Sequence, residues 1–286
     1  MVLPFSIIIP TLNEEKYLPR LLSCLQKQTS SYFEIIIVDG VSEDRTVAKA
    51  ESFREKFTRK YIALTIITSD KRNVSVQRNK GASLAKGTYL IFFDADVQIP
   101  PDFVETIEKE TKKHRIACAT TWVDADSNDP KDTAVAVLHN AIYEISHVLE
   151  IDFIPGYNCI VRKNIFDEVH GFSPRVVMEE DYDLARKISK KGHKIIVLKK
   201  PHLVLSLRRY RKEGHANVIR KYTLATAHFL FKGPITRELF DYQMGGAAFA
   251  RKRLSPTEKL KFKKYLEEMK SRFSQYVRDI DKLINQ

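Results

Sequence analysis

Two aspartates that follow an apolar run have the spacing of a metal-binding pair. Asp94 and Asp96 come directly after Tyr89–Phe93, whose residues are Tyr-Leu-Ile-Phe-Phe. Both carboxylates can face one crevice if the chain turns there, and their hard oxygen atoms suit Mg²⁺ or Mn²⁺, which in turn can hold a diphosphate. Most Asp-X-Asp tripeptides are solvated turns, so the prediction depends on the position of this one at the end of a buried strand.

A second group of carboxylates opens a predicted helix later in the chain. The run Met178–Asp183 contains Glu179, Glu180, Asp181 and Asp183. The dipole of a helix stabilises acidic side chains at its N-terminus, which accounts for part of this clustering. The functional interpretation makes one of these carboxylates a general base that removes the proton of an acceptor hydroxyl.

Two further side chains have the chemistry needed to bind a nucleotide. Asp39 ends the apolar run Ile35–Val38, where an acidic side chain can accept hydrogen bonds from a base or a ribose. Arg78 lies on a predicted helix before the Asp94 strand and can pair with a phosphate or with Asp94. The alternative interpretations are a turn residue for Asp39 and an ordinary surface arginine for Arg78.

Short apolar runs rich in β-branched residues alternate with helical patterns in the first half of the chain. The predicted strands are Phe5–Ile9, Glu34–Val38, Tyr61–Ile67 and Tyr89–Phe93. Two predicted helices are Thr46–Phe57 and Val74–Ala85, and an earlier one has Leu18, Leu21, Leu22 and Leu25 on one face. This alternation indicates an α/β fold with a parallel sheet that is covered on both faces. Ligands bind such sheets outside the carboxyl ends of the strands. Residues Pro10–Glu14, Asp39–Ser42 and Asp94–Asp96 should therefore meet in one crevice.

The rest of the chain is less regular up to about Leu207. The predicted elements are an exposed acidic loop Asp124–Thr133, a helix Val135–Leu149, strands Gly156–Arg162 and Ile195–Leu198, and a helix from Tyr182 to Lys191 that is ended by Gly192. We predict a catalytic domain over residues 1–207 and a basic, mostly helical C-terminal extension over residues 208–286. In the extension, Ser255–Glu258 has the spacing of a capping box. The helix that it opens has an apolar stripe formed by Leu266, Met269, Phe273, Val277, Ile280 and Ile284.

The net charge of +12 is concentrated in the last third of the chain. Residues 1–186 contain 23 Lys/Arg and 28 Asp/Glu, whereas residues 187–286 contain 25 and 8. A basic surface suits nucleic acid, anionic lipid or a phosphorylated ligand. Nucleic-acid binding does not explain carboxylates in the crevice, so we expect no nucleic-acid partner. The segment Tyr222–Phe231, which follows Arg220 and Lys221, is too short to span a membrane and suits peripheral contact with its surface.

Cysteine content and the N-terminus both indicate an intracellular setting. Cys24, Cys118 and Cys159 have no paired spacing, which argues against a disulfide framework and against a zinc cluster. The N-terminus lacks a basic region and a cleavage site, and no apolar run reaches the roughly 20 residues of a spanning helix. We expect a cytoplasmic protein, and the basic extension keeps open a peripheral contact at the inner face of the cell membrane.

Seven segments carry a resemblance to a known family. They are Ile7–Glu14, Ile35–Ser42, Arg78–Gly81, Gly87–Asp96, Gly156–Asn158, Gly171–Phe172 and Glu180–Asp181. In this order they resemble the inverting family 2 glycosyltransferases over about residues 5–210. The resemblance implies the GT-A fold, a Rossmann-like mixed sheet with helices on both faces. One departure is Asp39-Gly40-Val41-Ser42, where the family usually has Asp-Asp-Gly-Ser, and it leaves the identity of the nucleotide base open.

The resemblance implies a metal-dependent transfer of a sugar from a nucleoside-diphosphate sugar, with UDP or GDP as the nucleotide, to an acceptor hydroxyl with inversion. The positions implied for nucleotide-sugar binding are Thr11, Asn13, Glu14, Asp39, Arg78, Asp94, Arg208 and Arg209. Asp94 and Asp96 would bind Mg²⁺ or Mn²⁺ at the two phosphates, and Asp181 would be the catalytic base with Glu180 supporting it.

The sequence is compatible with more than one acceptor and with one alternative function. The expected acceptor is a glycan or a lipid-linked precursor in polysaccharide or glycolipid biosynthesis. A nucleotide-sugar-binding relative without transferase activity is the alternative function. Whether His202 or His215 adds a ligand to the metal is also left open.

Overall fold

The computed structural model describes residues 3–148, 153–237 and 239–240. Its strands are β1 Phe5–Thr11, β2 Phe33–Asp39, β3 Leu64–Thr68, β4 Tyr89–Phe93, β5 Cys118–Ala125, β6 Asn158–Arg162 and β7 Ile195–Leu205. Its helices are α1 Leu18–Gln26, α2 Thr46–Glu51, α3 Arg54–Thr58, α4 Val74–Leu84, α5 Phe103–Lys113, α6 Pro130–Val148, α7 Lys163–Glu168, α8 Glu180–Lys190, α9 Arg208–Glu213 and α10 His215–Lys232. This alternation of strands and helices is the predicted α/β class.

The strands of the described residues form one sheet in the order β3-β2-β1-β4-β6-β5-β7. β1 pairs in parallel with β2 and β4, β2 with β3, and β5 with β7. β6 is antiparallel to both β4 and β5, so the sheet is mixed rather than wholly parallel. Because β1, β2 and β4 are parallel, their carboxyl ends lie at the same edge, where ligands bind in sheets of this kind.

Alternate residues of the central strands pack into two apolar clusters, one on each face of the sheet. In β1, Ile7 and Ile9 belong to one cluster and Ile8 to the other, and all three are fully buried. Leu21 of α1 packs in the first cluster and Ala82 of α4 in the second. Because helices cover both faces, the central strands are continuous apolar runs instead of alternating ones.

Two predicted elements in the first hundred residues have different limits in the structure. The predicted helix Thr46–Phe57 is two helices, α2 and α3, with Ser52 and Phe53 between them. The predicted strand Tyr61–Ile67 begins only at Leu64. Tyr61 has a left-handed backbone, with φ 59°, and its side chain is 96% exposed. Such a conformation of a bulky residue belongs to a turn, which explains the later start of the strand.

The predicted exposed acidic loop at Asp124–Thr133 is shorter in the structure, and it does not include Asp132. Asp124 is part of β5, and α6 begins at Pro130. Asp132 is fully buried and lies 2.5 Å from Arg211 Nη1 and 2.7 Å from His215 Nε2. A run of acidic residues predicts solvent exposure, but these two partners from α9 and α10 make burial of this aspartate acceptable.

The helices after Leu207 contact the region that we predicted to be the catalytic domain. Arg208 pairs with Glu14 and Asp96, and Arg211 pairs with Asp126. The predicted capping box at Ser255–Glu258 and its helix lie outside the described residues. Within the described ranges, none of the helices combines the length and the apolar character needed to cross a membrane.

Candidate active site

A cavity of about 750 Å³ opens at the carboxyl ends of β1 and β4. Thr11 and Glu14 line it after β1, and Asp94 and Asp96 line it after β4. Other parts of its wall come from the start of α8, which includes Asp181, and from α6 and α10. The structure therefore brings the predicted metal pair and the predicted base into one cavity.

An arginine from beyond the predicted domain boundary contacts the carboxylates of this cavity. Arg208 Nε donates to Asp96 Oδ2 at 2.8 Å, and its Nη atoms donate to the two oxygens of Glu14 at 2.7 and 2.9 Å. The guanidinium also lies over the ring of Tyr17, 4.2 Å from the centroid. Arg209 lines the cavity as well. Two positively charged side chains of the cavity, Arg208 and Arg209, therefore come from α9.

Burial makes negative charge unfavourable in this part of the cavity. It raises the pKa of Glu14 to about 7, opposed by Arg208 and reinforced by Asp96 and Asp94. The pKa of Asp96 is also raised, first by burial and, against the effect of Arg208, by the charge of Asp94. Carboxylates that repel one another in a partly desolvated site favour binding of a cation.

Asp94 and Asp96 fit a Mg²⁺ or Mn²⁺ ion that is shared with a ligand. Asp94 pairs with Arg78 and is still 42% exposed. Among the described residues, no group of three or more His, Cys, Asp or Glu side chains is arranged to hold a metal ion by itself. Mg²⁺ is commonly bound by one or two carboxylates together with substrate phosphates and waters, so an aspartate pair is adequate for such a site.

Arg78 connects the aspartate pair to the predicted base. Its buried guanidinium donates from Nη2 to Asp94 Oδ1 at 2.9 Å and from Nη1 to Glu180 Oε1 at 2.8 Å. It lies over the ring of Phe172 and against Gly156, where an added Cβ would be 2.7 Å from both Nη atoms. The interpretation of Arg78 as an ordinary surface arginine is therefore wrong.

Asp181 lies in the first turn of α8, next to the loop that precedes β6. Its Oδ2 accepts a hydrogen bond from the backbone N–H of Gly156 at 2.8 Å. The helix begins at Glu180, two residues earlier than predicted, so both candidate catalytic carboxylates are helical. Glu179, just before the helix, has a left-handed backbone with φ 59°. Residues in such strained conformations cluster at functional sites.

The surroundings of Asp181 stabilise its protonated form. Burial, reinforced by the charge of Glu180 and opposed by the Gly156 N–H and by Arg78, raises the pKa of Asp181 to about 7. Burial also raises the pKa of Glu179, reinforced by Asp181 and Glu180. A pKa near the working pH suits a general base, since the group is ionised in much of the population and still basic enough to take a proton.

Two of the nucleotide-binding candidates, Asp39 and Asn13, do not line the cavity. Asp39 accepts hydrogen bonds from Thr11 Oγ1 at 3.0 Å and from Ser42 N and Oγ at 2.8 and 2.6 Å. Asn13 N donates to Ser42 Oγ at 2.8 Å, and Asn13 Oδ1 accepts from Glu43 N at 2.8 Å. Neither Asp39 nor Asn13 is among the residues that line the cavity. Both connect the loop after β1 to the loop after β2.

The two histidines considered as metal ligands have other partners. His202 Nδ1 is 3.0 Å from Asp124 Oδ2, and His215 Nε2 is 2.7 Å from Asp132 Oδ1. Neither histidine lines the cavity that contains Asp94 and Asp96. The structure therefore does not bring either of them to the aspartate pair.

A hydrogen-bonded cluster that was not predicted from the sequence also lines the cavity. His139 Nδ1 lies 3.0 Å from the hydroxyl of Tyr157, His139 Nε2 lies 3.2 Å from that of Tyr210, and the hydroxyls of Tyr143 and Tyr157 are hydrogen-bonded. Burial lowers the pKa of His139 to about 4, so the ring is neutral at neutral pH. The spacing of four between His139 and Tyr143 was a signal for one helix face, whereas the fold supplies the other two residues.

A family comparison agrees with this arrangement of strand ends and paired aspartates. Residues 6–173 match the family model described as glycosyl transferase family 2. The chain belongs to glycosyl transferase family 2. The matched residues include Arg78, Asp94 and Asp96 and end before α8, so the assignment of Asp181 depends on the geometry given above.

Individual relatives support the same family and show how much of each protein is shared. The amylovoran biosynthesis glycosyltransferase AmsB of Erwinia amylovora is 26% identical over 206 residues, which are 69% of this chain and 67% of AmsB. The crystal structure of Staphylococcus aureus TarS 1–349 in complex with UDP-GlcNAc has a TM-score of 0.60 and 21% identity, over 72% of this chain and 59% of that one.

A second solved structure has a similar likeness. The mannosyltransferase PcManGT from Pyrobaculum calidifontis, in complex with GDP-Man and Mn²⁺, has a TM-score of 0.63 and 20% identity, over 82% of this chain and 65% of that one. The matches thus span about two thirds or less of these proteins' own lengths. The structural neighbours confirm the predicted GT-A fold.

Proposed function

We propose that this protein transfers a sugar from a nucleoside-diphosphate sugar to an acceptor hydroxyl, with a divalent metal and with inversion at the anomeric carbon. The observation that carries the proposal is one cavity lined by Asp94, Asp96 and Asp181. Arg78 pairs with both Asp94 and Glu180, so one buried arginine connects the metal side to the base side. Membership in glycosyl transferase family 2 supports this reaction class.

The donor is proposed to lie at the carboxyl ends of β1 and β4, with its diphosphate at Asp94 and Asp96. A Mg²⁺ or Mn²⁺ ion held there would neutralise charge that develops on the leaving nucleoside diphosphate. Arg208 and Arg209 line the same cavity and can contact phosphate oxygens. Neighbouring structures with UDP-GlcNAc and with GDP-Man and Mn²⁺ support UDP or GDP as the nucleotide and support the metal.

The nucleoside is proposed to contact the loop after β1. Thr11 and Glu14 line the cavity in this loop. Asp39 holds the loop through Thr11, and Asn13 holds it through Ser42, so both are assigned a supporting role behind the nucleoside. The proposed nucleotide site is therefore narrower than the set of residues that the sequence suggested.

Asp181 is the proposed base. Its ionised carboxylate takes the proton of the acceptor hydroxyl while that oxygen bonds to the anomeric carbon. On the opposite face of the same carbon, the bond to the diphosphate breaks and the diphosphate leaves with the bonding electrons. Because the hydroxyl oxygen attacks the face away from the diphosphate, the configuration at that carbon is inverted. The Gly156 N–H orients the carboxylate, and Arg78 holds the adjacent Glu180 in place.

The acceptor is proposed to be a glycan or a lipid-linked molecule that enters past α6 and α10. Residues 208–232 contain seven Lys/Arg and one acidic residue, Glu213. Arg208 and Arg211 pair with acidic residues of the earlier part of the chain, and the remaining excess of positive charge supports peripheral contact with an anionic membrane. Flotation with liposomes that contain anionic lipid tests this contact. Absence of binding even at low salt would remove it from the proposal.

The donor site is tested by calorimetric titration of UDP and GDP, with and without Mn²⁺ or Mg²⁺. Binding of one nucleotide should require the metal and should be lost in Asp96→Ala, because this variant removes one of the two carboxylates that the metal would use. Asp124→Ala is a matched control, since Asp124 is half-exposed and pairs with His202 away from the cavity. Metal-independent binding that survives in Asp96→Ala would contradict the site.

A relative that binds nucleotide sugars without transferring them is the alternative function. Its donor contacts would be the same, so nucleotide binding does not separate the two. Release of nucleoside diphosphate from its sugar conjugate does separate them, because only a transferase turns the donor over.

A further inference from the structure

The proposed donor, metal and base leave one large part of the cavity wall without a role. Leu138 and Ile142 of α6 and Ile219 and Leu230 of α10 line this part. We call these four aliphatic side chains the apolar wall. They are the feature that remains after the chemistry of the site has been assigned.

A chain of ring contacts connects the two helices that carry the apolar wall to the residue next to the proposed base. Tyr143 of α6 contacts Phe153 at 5.2 Å between centroids, and Phe153 contacts Tyr182 at 4.5 Å. Tyr182 in turn contacts Phe229 of α10 at 5.7 Å. Tyr182 directly follows Asp181 on α8, so α6 and α10 are connected through the residue next to the base.

The apolar wall is exposed to an unusual degree for aliphatic residues. Leu138 is 43% exposed, Ile142 39%, Ile219 37% and Leu230 58%. Of the eleven large hydrophobic side chains that are exposed in the described part of the chain, five lie on α6 and two on α10. Single exposed side chains are ordinary, but four that line the same cavity indicate a binding surface.

The chemistry of the wall indicates a hydrocarbon rather than a sugar ring. Its four side chains offer no hydrogen-bond partner, so sugar hydroxyls buried against them would stay unpaired. Of the two threonines of α10 that also line the cavity, Thr223 donates its hydroxyl to Ile219 O at 2.9 Å, and Thr226 is hydrogen-bonded to Tyr182. A hydrocarbon chain gains free energy with each methylene that leaves water for such a surface.

We propose that the acceptor of this protein carries a hydrocarbon chain that lies against the apolar wall while its hydroxyl group reaches Asp181. This inference rests on the proposed function, because it takes Asp181 as the base. It narrows the acceptor to an amphipathic, lipid-linked molecule. Continuity of the wall with the cavity that contains Asp181 is the observation that selects this occupant.

The test uses alkyl β-glucosides of increasing chain length, each below its micelle-forming concentration, titrated into the full-length protein with Mn²⁺ and the nucleotide that it binds. Affinity should rise about fourfold for each added methylene between the hexyl and decyl compounds. Leu138→Asn and Leu230→Asn should each lower the affinity for the decyl compound about tenfold. Val137→Asn is the matched control, because Val137 is on α6, is 62% exposed and does not line the cavity.

The outcomes separate this inference from the proposed function. Equal affinity for methyl and decyl glucosides, or a chain-length effect that Leu138→Asn and Leu230→Asn leave unchanged, would overturn the hydrocarbon assignment while nucleotide binding persists. Loss of nucleotide binding in the wild type would defeat the donor site and this inference with it. Normal nucleotide affinity in each variant shows that the variant is folded, so a loss of decyl-glucoside affinity in that variant supports the assignment.

Discussion

A carboxylate at a helix N-terminus is ordinarily stabilised in its charged form, which lowers its pKa. Asp181 lies in the first turn of α8, yet burial and the charge of Glu180 raise its pKa to about 7. The favourable interaction of acids with a helix N-terminus therefore does not explain why Asp181 lies at this position. At the residue scale, burial of Asp181 beside Glu180 outweighs the effect of the helix N-terminus, and the sequence contained no information about this burial.

The pH dependence of turnover should report this pKa. Below about pH 7, turnover should fall roughly tenfold per pH unit, because only ionised Asp181 can take a proton. Glu180→Gln removes a negative charge that raises the pKa of Asp181, so the midpoint of the acid limb should move to lower pH. Profiles of turnover against pH for both proteins measure the shift.

Asp183→Asn provides the control for this experiment. Asp183 is on the same helix but is bound to Ser173 and Lys187. Its replacement should leave the midpoint where it is in the wild type. An unchanged or higher midpoint in Glu180→Gln would contradict the assignment of Asp181 as the titrating base.

At the scale of elements, the attachment of α9 and α10 depends on a buried aspartate that the sequence analysis placed in an exposed loop. Asp132 of α6 accepts a hydrogen bond from Ser127 and pairs with Arg211 and His215. Burial alone would raise the pKa of Asp132, but these hydrogen bonds outweigh it, and the pKa is lowered. Arg211 and His215 lie 79 and 83 positions after Asp132 in the chain. The residues next to Asp132 in the sequence therefore could not indicate that it is buried.

Asp132→Asn should therefore destabilise the protein by about 2 to 3 kcal/mol, the usual cost of losing hydrogen bonds to a charged group. A folded-state pKa below the unfolded value means that the stabilisation is present above about pH 4 and is lost as pH falls through the folded pKa. Urea unfolding at neutral pH and at about pH 3 measures the difference.

The exposed pair provides the comparison for Asp132. Asp124→Asn removes a carboxylate that is 58% exposed and pairs with His202, so it should change the free energy of unfolding by less than about 0.5 kcal/mol. Equal effects of the two substitutions at neutral pH would show that the Asp132 contacts do not stabilise the fold.

Elements buried on both faces were the ones that the sequence predicted well. β1, β2 and β4 begin and end within about two residues of their predictions because their apolar runs are continuous. β5 was not predicted, and the antiparallel direction of β6 was not anticipated. Strand direction depends on which neighbours a strand pairs with, which is a property of the fold and not of a short window of residues.

At the scale of the whole molecule, the site was predicted where it depends on strand ends and missed where it depends on distant contacts. Asp94, Asp96 and Asp181 line one cavity, as the strand ends and the family resemblance implied. The pairing of Arg208 with Glu14 joins residues 194 positions apart, and no sequence pattern indicated it. The apolar wall likewise requires two helices that are far apart in the chain.

Some of the basic residues in the last third of the chain form ion pairs within the folded protein. The excess of basic residues in the last third first suggested an anionic ligand or surface. Arg208 and Arg211 instead contact acidic residues of the earlier part of the chain, which are Glu14, Asp96, Asp126 and Asp132. Part of the charge asymmetry therefore serves to hold α9 against the catalytic region.

The central claim is that one cavity binds the donor at Asp94 and Asp96 and removes the acceptor proton at Asp181. The most direct test is Asp181→Asn, measured for nucleotide affinity by calorimetry and for release of UDP or GDP from the matching donor sugar in the presence of a lipid extract. Nucleotide affinity should stay within about twofold of the wild type, since Asp181 is not proposed to contact the nucleotide. Turnover should fall by roughly 10²- to 10⁴-fold. Turnover equal to that of the wild type would contradict the account.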